Sequence, residues 1–506
     1  MKLRFSILYG VAALALTMYL TSCKNSTTPP SNNNNNNGNT GSLVKYPNGD
    51  TIGGVNHPMT NYYLAANTTY YMDSSVVIPD KDTLLIQQGV TVIALNTGIS
   101  NAAGSPEFQV FGTMICDGAQ GSPIYLTVPQ NLRKYANLTD VNSGSLWGGI
   151  ECAAPGSPLA QNGSGDLILK WTHVEFAGGS AAASDPIVTG GGARYAVWYE
   201  NPNGHFIMED SWLTGSTDDP LRVSGGKIAI FRNVIEDCAP TTGDFNFKSG
   251  TVGDIAYNLC IGICTNGPKL ANTGGLNPET NVNIYNNTIV TCGWRVTESG
   301  RAGSTDIEGG ARGLEYNNLI VNCRTGFRLL GGTSAADTAN TFYDYFWYYG
   351  STADVVNHFN NSGDGGVQVW KTHDVHGTAG QNNPMFVGYN PDQAVPTSAW
   401  ATFPQDYSSQ PQAENLMRTM DEKGSPRFVD VTATFKNDFH LQANSPCVGK
   451  GYTGQVLDVN NHPITIPMGV VPVKDASHPY GAEGYVGLGA DIGAYQNTNA
   501  STGNQQ

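Results

Sequence analysis

A short pattern that recurs through the middle of the chain constrains the fold more than any other feature. Each copy has a polar residue, most often Asn, then a short apolar run, and then Cys or Gly. The copies read His173-VEFA-Gly178, Asp210-SWLT-Gly215, Asn233-VIED-Cys238, Asn287-TIVT-Cys292 and Asn318-LIVN-Cys323, and Asn258-LCIGI-Cys264 fits with one extra residue. Their starts lie 37, 23, 25, 29 and 31 residues apart. The pattern therefore indicates short strands joined by loops of variable length.

A second recurring strand ends in small residues. Its copies read IVTGG (187–191), LRVSGG (221–226), FNFKSG (245–250), TDIEGG (305–310) and FRLLGG (327–332). Alternation within each copy places an apolar set inward and a polar set outward. No amphipathic helical segment lies between the strands. We therefore predict a coil of parallel strands, with about three short strands in each rung and hydrogen bonds from each rung to the next.

Composition agrees with this interpretation and excludes several functional classes. The 506 residues include 61 Gly, and only 13% are charged, against about 25% in ordinary globular chains. The mean hydropathy of -0.26 excludes a polytopic membrane protein. The net charge of -15 provides no basic surface for nucleic acid, so we expect no nucleic-acid partner.

The opening and closing segments extend the pattern to most of the chain. LLIQQGVTVIAL (84–95), FQVFGTMICDGAQGSPIYLT (108–127) and LWGGI (146–150) have the form of opening rungs, and DFHLQANSPCVGKG (438–451) and DIGAYQ (491–496) that of a closing segment. Over roughly residues 80 to 495 the chain resembles the right-handed parallel β-helix proteins of the pectate-lyase-like superfamily. The resemblance implies an all-β solenoid.

We expect the chain to be organised in six regions. These are a signal peptide (1–22), a lipidated Cys with a flexible Asn-rich tether (23–43), a lead-in or cap (44–80), the parallel β-helix (81–350), long loops with the last rungs (351–435) and a closing segment (436–506).

The N-terminus reads as an export signal. Lys2 and Arg4 precede an apolar stretch, and Leu20-Thr21-Ser22-Cys23 resembles the lipobox of bacterial lipoproteins, in which the Cys becomes the lipidated first residue. A plain secretory signal is the alternative. The lipoprotein interpretation predicts anchoring in membrane lipid through the acylated Cys23, in an outer-membrane protein displayed at the cell surface.

The outward positions of the small-residue strands collect many of the few charges. Aligning these strands by their ends places Arg222, Asn246, Asp306 and Arg328 at one outward position. Ser224, Lys248, Glu308 and Leu330 occupy the next. We expect an exposed charged column, with Asp218, Asp219 and Asp244 in the turns beside it.

In lyases of the superfamily such a strand face is catalytic, which the resemblance extends to this chain as a hypothesis. Carboxylates hold Ca²⁺ against a uronate, and Lys or Arg removes the acidified proton. The candidate catalytic residues are Asp218, Asp219, Lys248, Asp306, Glu308 and Arg328. No metal site is evident from the sequence, and Ca²⁺ is the one candidate cofactor. Thr217-Asp218-Asp219 is similar to the paired Asp of polygalacturonase-like hydrolases, without the other motifs of that family. The alternative is that opposite charges on adjacent rungs only stabilise the stack.

An aromatic segment offers candidate ligand contacts. In TFYDYFWYYG (341–350), alternation predicts Tyr343, Tyr345, Trp347 and Tyr349 on one side, and Phe346 and Tyr348 on the other. The first set and Arg222 are our candidate ligand-binding residues. Packing of all these rings at the end of the coil is the alternative.

Cysteine spacing supports packing over cross-linking. Cys238, Cys292 and Cys323 share one position of the repeat, which predicts a stacked column of buried thiols. Disulfides are the alternative in an exported chain.

Two functional classes remain. One is a surface module that binds polysaccharide and serves adhesion or uptake. The other is a polysaccharide lyase or glycoside hydrolase. Since no catalytic motif is complete, the sequence favours the binding module.

Overall fold

The computed structural model describes most of the chain after the N-terminal region. The described residues are 43–54, 57–95, 97, 104–134, 146–152, 165–182, 195–236, 243–272, 279–294, 296, 301–360, 370–392, 429 and 437–496. Cys23, the signal peptide, nearly all of the tether, and Cys238 lie outside them.

Three long sheets, each built only of parallel strands, form the molecule. Between the first and last rungs the chain passes through the three sheets, which we call A, B and C, in the same order each time. This confirms the predicted right-handed parallel β-helix with three strands per rung. Parallel strands need crossover connections, and here the other two strands of each rung provide the crossover.

The strand bounds follow this order. Sheet A contains β1 (Val44–Lys45), β3 (Tyr62–Leu64), β6 (Thr83–Gln87), β9 (Thr113–Asp117), β12 (Leu167–Lys170), β15 (His205–Glu209), β18 (Lys227–Phe231), β21 (Val252–Ala256), β24 (Asn281–Tyr285), β27 (Arg312–Tyr316) and β30 (Phe342–Asp344). Sheet B contains β2 (Thr51–Ile52), β4 (Thr69–Met72), β7 (Thr91–Ala94), β10 (Ile124–Thr127), β13 (Thr172–Glu175), β16 (Trp212–Thr214), β19 (Val234–Glu236), β22 (Leu259–Ile261), β25 (Thr288–Val290), β28 (Leu319–Val321) and β31 (Trp347–Tyr349). Sheet C contains β5 (Val76–Ile78), β8 (Glu107–Val110), β11 (Gly149–Cys152), β14 (Val197–Tyr199), β17 (Leu221–Ser224), β20 (Asp244–Lys248), β23 (Asn266–Ala271), β26 (Asp306–Glu308) and β29 (Arg328–Leu329).

The strands begin earlier in the chain than the sequence suggested. The region 44–80, expected as a lead-in or cap, already carries β1 to β5, and these pair into the three sheets. At the other end, a single described α-helix, α1 (Ala353–His358), is capped by the Thr352 side chain, which accepts a hydrogen bond from the Val355 N–H. Val355 and Phe359 join the interior core and so cover the last rung.

A stack of buried amides joins the rungs at the corner between sheets A and B. We call Asn233, Asn258, Asn287 and Asn318 the asparagine ladder. In it the Oδ1 of Asn258 accepts both the backbone N–H and the Nδ2 of Asn233, at 2.9 and 3.0 Å. Asn258 and Asn287 make the same two contacts with the next amide. Each ladder amide also donates to a backbone carbonyl one rung back, such as that of Ile230. Four side chains thereby satisfy corner groups that would otherwise be buried without partners.

The residue before each ladder position has a left-handed backbone, which turns the chain from sheet A into sheet B. The φ values at Arg232, Tyr257, Asn286 and Asn317 lie between 51° and 60°. Asn tolerates this conformation better than other non-Gly residues. At Arg232 and Tyr257, which are bulkier, the ladder hydrogen bonds on the next residue hold the backbone in this conformation.

Two copies of the repeat are offset by one residue from the sequence alignment. Strand register pairs His173 with Trp212, and Trp212 with Val234. The residues equivalent to Asn233 are therefore Thr172 and Ser211, not His173 and Asp210. The Ser211 hydroxyl replaces the ladder amide at this position, because its Oγ accepts a hydrogen bond from the Thr172 N–H at 3.0 Å. The backbone N–H of Ser211 donates to Asn233 Oδ1.

The interior of the coil is filled by aligned apolar columns and by cysteines. One column of sheet A contains Met208, Ile230, Ile255 and Ile284, all of them fully buried. The seven described cysteines are buried thiols, and Cys292 and Cys323 share one repeat position as predicted. Packing rather than cross-linking is their role in this part of the chain.

One carboxyl group interrupts the apolar column. Register places Glu315 directly after Ile284 and before Tyr343, so its side chain points into the coil, where it is 0% exposed. Neither carboxyl oxygen has a partner among the described residues at the distance and angle of a normal hydrogen bond, and the nearby Thr305 hydroxyl lowers the pKa of Glu315 less than burial raises it. Burial therefore raises the pKa of Glu315 well above its usual value, and the Asp306 carboxylate adds to the rise.

The closing segment packs on the outside of sheet A. Outward-facing side chains of that sheet, including Ile207, Phe231 and Tyr257, form an apolar cluster with Val471, Tyr480 and other residues of the segment. Hydrogen bonds join Tyr285 Oη to the Val486 carbonyl at 2.7 Å and the Met468 N–H to Asp254. An apolar outer face, unusual for a water-exposed sheet, is thus covered by the chain itself. In the part that the structure describes, no helix is long and apolar enough to cross a bilayer.

We predict that Asn287→Ala destabilises the coil by about 2–4 kcal/mol, since it removes hydrogen bonds worth ~1 kcal/mol each and leaves buried donors without partners. Urea denaturation followed by circular dichroism measures the loss. Asn203→Ala, at an exposed position, is the control and should change stability by less than about 0.5 kcal/mol. Equal effects of the two substitutions would contradict a structural role for the ladder.

The free energy of unfolding of the native protein should decrease as pH rises from about 4.5 to neutral because Glu315 loses its proton. We predict that Glu315→Gln makes this decrease smaller. A carboxyl group whose pKa is raised by folding contributes stability that is fully present below its unfolded pKa, and this is lost as pH rises towards the folded pKa. Unfolding midpoints measured at several pH values for both proteins check this. If the unfolding midpoints of both proteins changed with pH in the same way, folding would not raise the pKa of Glu315.

Candidate functional site

The outward face of sheet C brings the predicted charges into one column. Strand register aligns Arg222, Asn246, Lys269, Asp306 and Arg328, and we call these residues the charged column. The predicted alignment is thus confirmed, with Lys269 filling a rung that the sequence analysis left out. The next outward column contains Ser224, Lys248, Ala271 and Glu308. Neighbouring strands lie about 4.8 Å apart, so each residue meets its counterpart on the next rung.

Opposite charges in the column pair along its length. Arg222 Nε lies 2.9 Å from Asp219 Oδ2. Lys269 Nζ lies 3.3 Å from Asp244, 3.9 Å from Asp306 and 3.0 Å from Glu308. Arg328 Nη1 lies 3.0 Å from Asp306 Oδ2. Three of the four described basic residues on this face are therefore paired with carboxylates. Arg222 pairs with one in the turn of its own rung, whereas Lys269 and Arg328 pair with carboxylates of adjacent rungs.

Most of the column is buried, which corrects the expectation of an exposed charged face. Asn246, Asp306 and Arg328 are at most 1% exposed, and Lys269 is 4% exposed. Within the charged column only Arg222 reaches the surface, with 25% of its side chain exposed. The buried end of the column has the geometry of a structural ion-pair network rather than of an open binding surface.

Burial alters the acid–base properties of this face. It raises the pKa of Asp219 to about 7, against the opposing effect of Arg222, and that of Asp306 to about 7, against the opposing effect of Arg328. Burial lowers the pKa of Lys269, but the three nearby carboxylates together have the larger effect. They raise this pKa above its ordinary value, and they belong to Asp244, Asp306 and Glu308.

Lys248 differs from the other cations of the face. No ion pair among the described residues includes it, and it is half-buried. Burial, together with repulsion from Arg222 and Lys269, lowers its pKa. A lysine with a lowered pKa beside carboxylates is suited to accept a proton or to bind an anionic group.

The candidate carboxylates do not converge on one point. Asp218 and Asp219 lie in the turn before β17, whereas Asp306 and Glu308 belong to β26, three strands further on. Three inter-strand steps span about 14 Å, and Ca²⁺ binds its ligands at about 2.3–2.6 Å. One ion therefore cannot bind all four. Among the described residues, no group of three or more His, Cys, Asp or Glu side chains is arranged to hold a metal ion.

Two aromatic residues that the sequence analysis did not select flank the exposed end of the column. Tyr195 and Trp198 are half-buried, and their rings meet edge to face with centroids 5.4 Å apart. The Arg222 guanidinium lies 4.2 Å from the centre of the Tyr195 ring, and Trp198 pairs with Arg222 in register. The indole Nε1 of Trp198 is buried and has no hydrogen-bond partner among the described residues. We call Tyr195, Trp198, Arg222 and Lys248 the aromatic–basic patch.

The aromatic segment near the end of the coil is placed differently from the prediction. Tyr343 lies inside the coil with Phe346 and Tyr348, while Trp347 and Tyr349 face outward. The cause is Tyr345, whose φ of 61° makes it the corner residue, so the alternation does not continue through it.

Of the four candidate aromatics, only Tyr345 keeps an accessible ring. Tyr343 is 9% exposed, and Trp347 and Tyr349 are 4% and 0% exposed. The outward pair is covered by Phe386, Phe439 and their neighbours. Tyr345 itself stacks on His373 and Tyr452, with ring centroids 4.5 and 4.9 Å away. These rings form a packed end of the coil, which was the alternative interpretation.

The residues missed by sequence reasoning had weak signals. Lys269 lies in KLANTGG (269–275), which ends in Gly-Gly like the other strands but with intervening residues. Trp198 lies one rung before Arg222 in VWY, a strand that has no Gly ending.

We found no family model, no curated protein and no solved structure that matches this chain. The geometry of the site is therefore the basis for assigning a function.

We predict that Lys269→Met and Lys248→Met differ strongly in stability. Loss of Lys269 leaves buried carboxylates without their cation, which costs about 3–5 kcal/mol for a buried pair. Lys248 is outside the ion-pair network, so its substitution should change stability by less than about 0.5 kcal/mol. Chemical denaturation of both variants measures the difference. Similar stability of both variants would show that Lys269 is not essential to the network.

Proposed function

We propose that this protein is an exported, lipid-anchored β-helix protein that binds carbohydrate through the aromatic–basic patch. The observation that carries the proposal is the half-buried Tyr195–Trp198 pair beside Arg222 and Lys248 on one sheet face. Aromatic rings present flat apolar surface to the faces of sugar rings, and cations bind their hydroxyl and carboxylate groups.

The ion-pair network supports a binding role. Arg222 is held by Asp219, and Asp219 also accepts hydrogen bonds from the Asn246 side chain and the Asp244 N–H, at 3.0 and 2.7 Å. The cation is therefore positioned before any ligand arrives, and preorganisation lowers the entropic cost of binding.

The N-terminal sequence supports anchoring at a membrane. The lipobox-like Leu20–Cys23 and the polar run up to residue 43 would hold the folded coil away from the lipid surface on a flexible tether. Membrane lipid is then the partner of the acylated Cys23, and polysaccharide the partner of the coil, in a role in adhesion or nutrient uptake at the cell surface.

A second candidate, polysaccharide β-elimination, is favoured by Lys248. Its lowered pKa increases the fraction of free amine that can remove a proton next to a uronate carboxylate. Arg222 beside it would stabilise the negative charge that develops. This reaction would use Lys248 and Arg222 without the carboxylate set first considered.

We predict that Trp198→Ala weakens binding to a recognised polysaccharide about tenfold, since burial of an aromatic contact is worth on the order of 1–2 kcal/mol. Affinity electrophoresis against a panel of neutral and acidic polysaccharides, with and without Ca²⁺, identifies the ligand. Isothermal titration then measures the variants. Tyr71→Ala removes an exposed ring on sheet B and should leave the affinity unchanged.

The same panel separates binding from catalysis. Unsaturated products absorb in the ultraviolet, and their loss in Lys248→Ala, but not in Lys227→Ala on sheet A, would establish the lyase. Binding without products would establish the module. Neither binding nor products with any polysaccharide, from a folded protein, would overturn the proposal.

A further inference from the structure

A polar cavity lies on another face of the molecule, between sheet A and the closing segment. It encloses about 180 Å³. Its sheet wall is the column Asp117, Lys170 and Glu209, whose members are neighbours in strand register. Lys474 and Glu483 of the closing segment form the opposite wall, and Trp171 lines one side.

The inner wall is buried and fixed. Lys170 is 2% exposed and donates to the Gly481 carbonyl and to Glu483 Oε1, at 2.5 and 2.8 Å. Glu209 is fully buried and accepts the Glu483 N–H at 2.9 Å. Behind them, Arg232 pairs with Asp210 through two hydrogen bonds of 3.0 Å. Each of these charges is already satisfied within the protein, so the cavity keeps its shape without a ligand.

Asp117 differs from the other charged groups of the cavity. No hydrogen bond or ion pair of its carboxylate occurs among the described residues, although it is half-buried. Trp171 beside it is also half-buried, and its ring touches that of Trp212 at a centroid distance of 5.9 Å. An unused acceptor and an apolar ring therefore face the same space.

We propose that this cavity binds a single neutral sugar ring. Its walls offer an acceptor at Asp117 and a donor at Lys474, whose ammonium group pairs with Glu483 Oε1 at 2.7 Å and has further N–H groups. This combination suits hydroxyl groups because they donate and accept. Both walls carry both signs of charge, with Lys170 and Lys474 among four carboxylates, so an ionic ligand of either sign would meet like charges. The volume lies below the ~300–1,000 Å³ of pockets that hold drug-sized molecules, so it suits one ring rather than an oligosaccharide. The aromatic ring of Trp171 supplies the apolar contact.

This site is independent of the aromatic–basic patch. It lies on sheet A and the closing segment, whereas the patch lies on sheet C. A protein with both would hold a polysaccharide on one face and a single unit or chain end on another.

Saturation-transfer NMR and isothermal titration with D-glucose, D-galactose, D-mannose and N-acetyl-D-glucosamine test the proposal on the folded protein. We expect saturable binding of at least one sugar, weakened tenfold or more by Asp117→Asn and by Trp171→Phe. Two control substitutions should leave the affinity for the sugar unchanged. These are Asp73→Asn, at an exposed position directly after β4, and Trp198→Ala.

With D-glucosamine and D-glucuronate added to the panel, four outcomes would overturn the proposal. Three of them are no binding of any of the four neutral sugars, binding that Asp117→Asn leaves intact, and binding of D-glucosamine or D-glucuronate alone. Asp117→Asn keeps the size of the side chain and removes no contact of the described residues, so it should fold even if Trp171→Phe does not. The fourth outcome is loss of monosaccharide binding in Trp198→Ala, which would place the sugar in the patch instead.

Discussion

The hydrogen bond from one rung to the next is the interaction on which the whole structure depends. Backbone bonds along the three sheets provide most of these contacts, and the asparagine ladder fixes their register at the corner where the chain leaves sheet A. A shift of one residue would reverse the inward and outward faces of every strand. Because the buried amides of Asn258 and Asn287 bond only when corresponding rungs are aligned, they specify the columns on which both the core and the surface sites are built.

The fold and its columns could be predicted because they repeat. Alternation in LRVSGG and FNFKSG correctly aligned Arg222 with Asn246, and Ser224 with Lys248. What could not be predicted depends on corners and on contacts between distant segments. The left-handed Tyr345 exchanges inside and outside for the aromatics on either side of it, and no local pattern marks such a corner in an aromatic run. The burial of Trp347 arises from Phe386 and Phe439, which periodicity within a rung does not reveal.

The low charge of the sequence acquires a structural meaning. Two networks of charged residues lie on the outer faces, one on sheet C around Lys269 and one on sheet A around Lys170. Each network pairs most of its own charges and leaves a polar group of different character at its edge, namely Lys248 in one and Asp117 in the other. A chain with few charges can therefore define two chemically distinct surfaces, because the other charges of each network pair with one another and hold these two groups in place.

The return of the closing segment along sheet A has a consequence for how the protein matures. Glu483 contacts Lys170 across 313 positions of the chain, and Val486 contacts Tyr285 across 201. A ribosome or a translocation channel releases the N-terminal partner of each contact first. During that interval the apolar outer face of sheet A has no cover, and its strands are open to association with other chains. Delivery of residues 466–489 therefore ends the period in which a newly made molecule is vulnerable to aggregation.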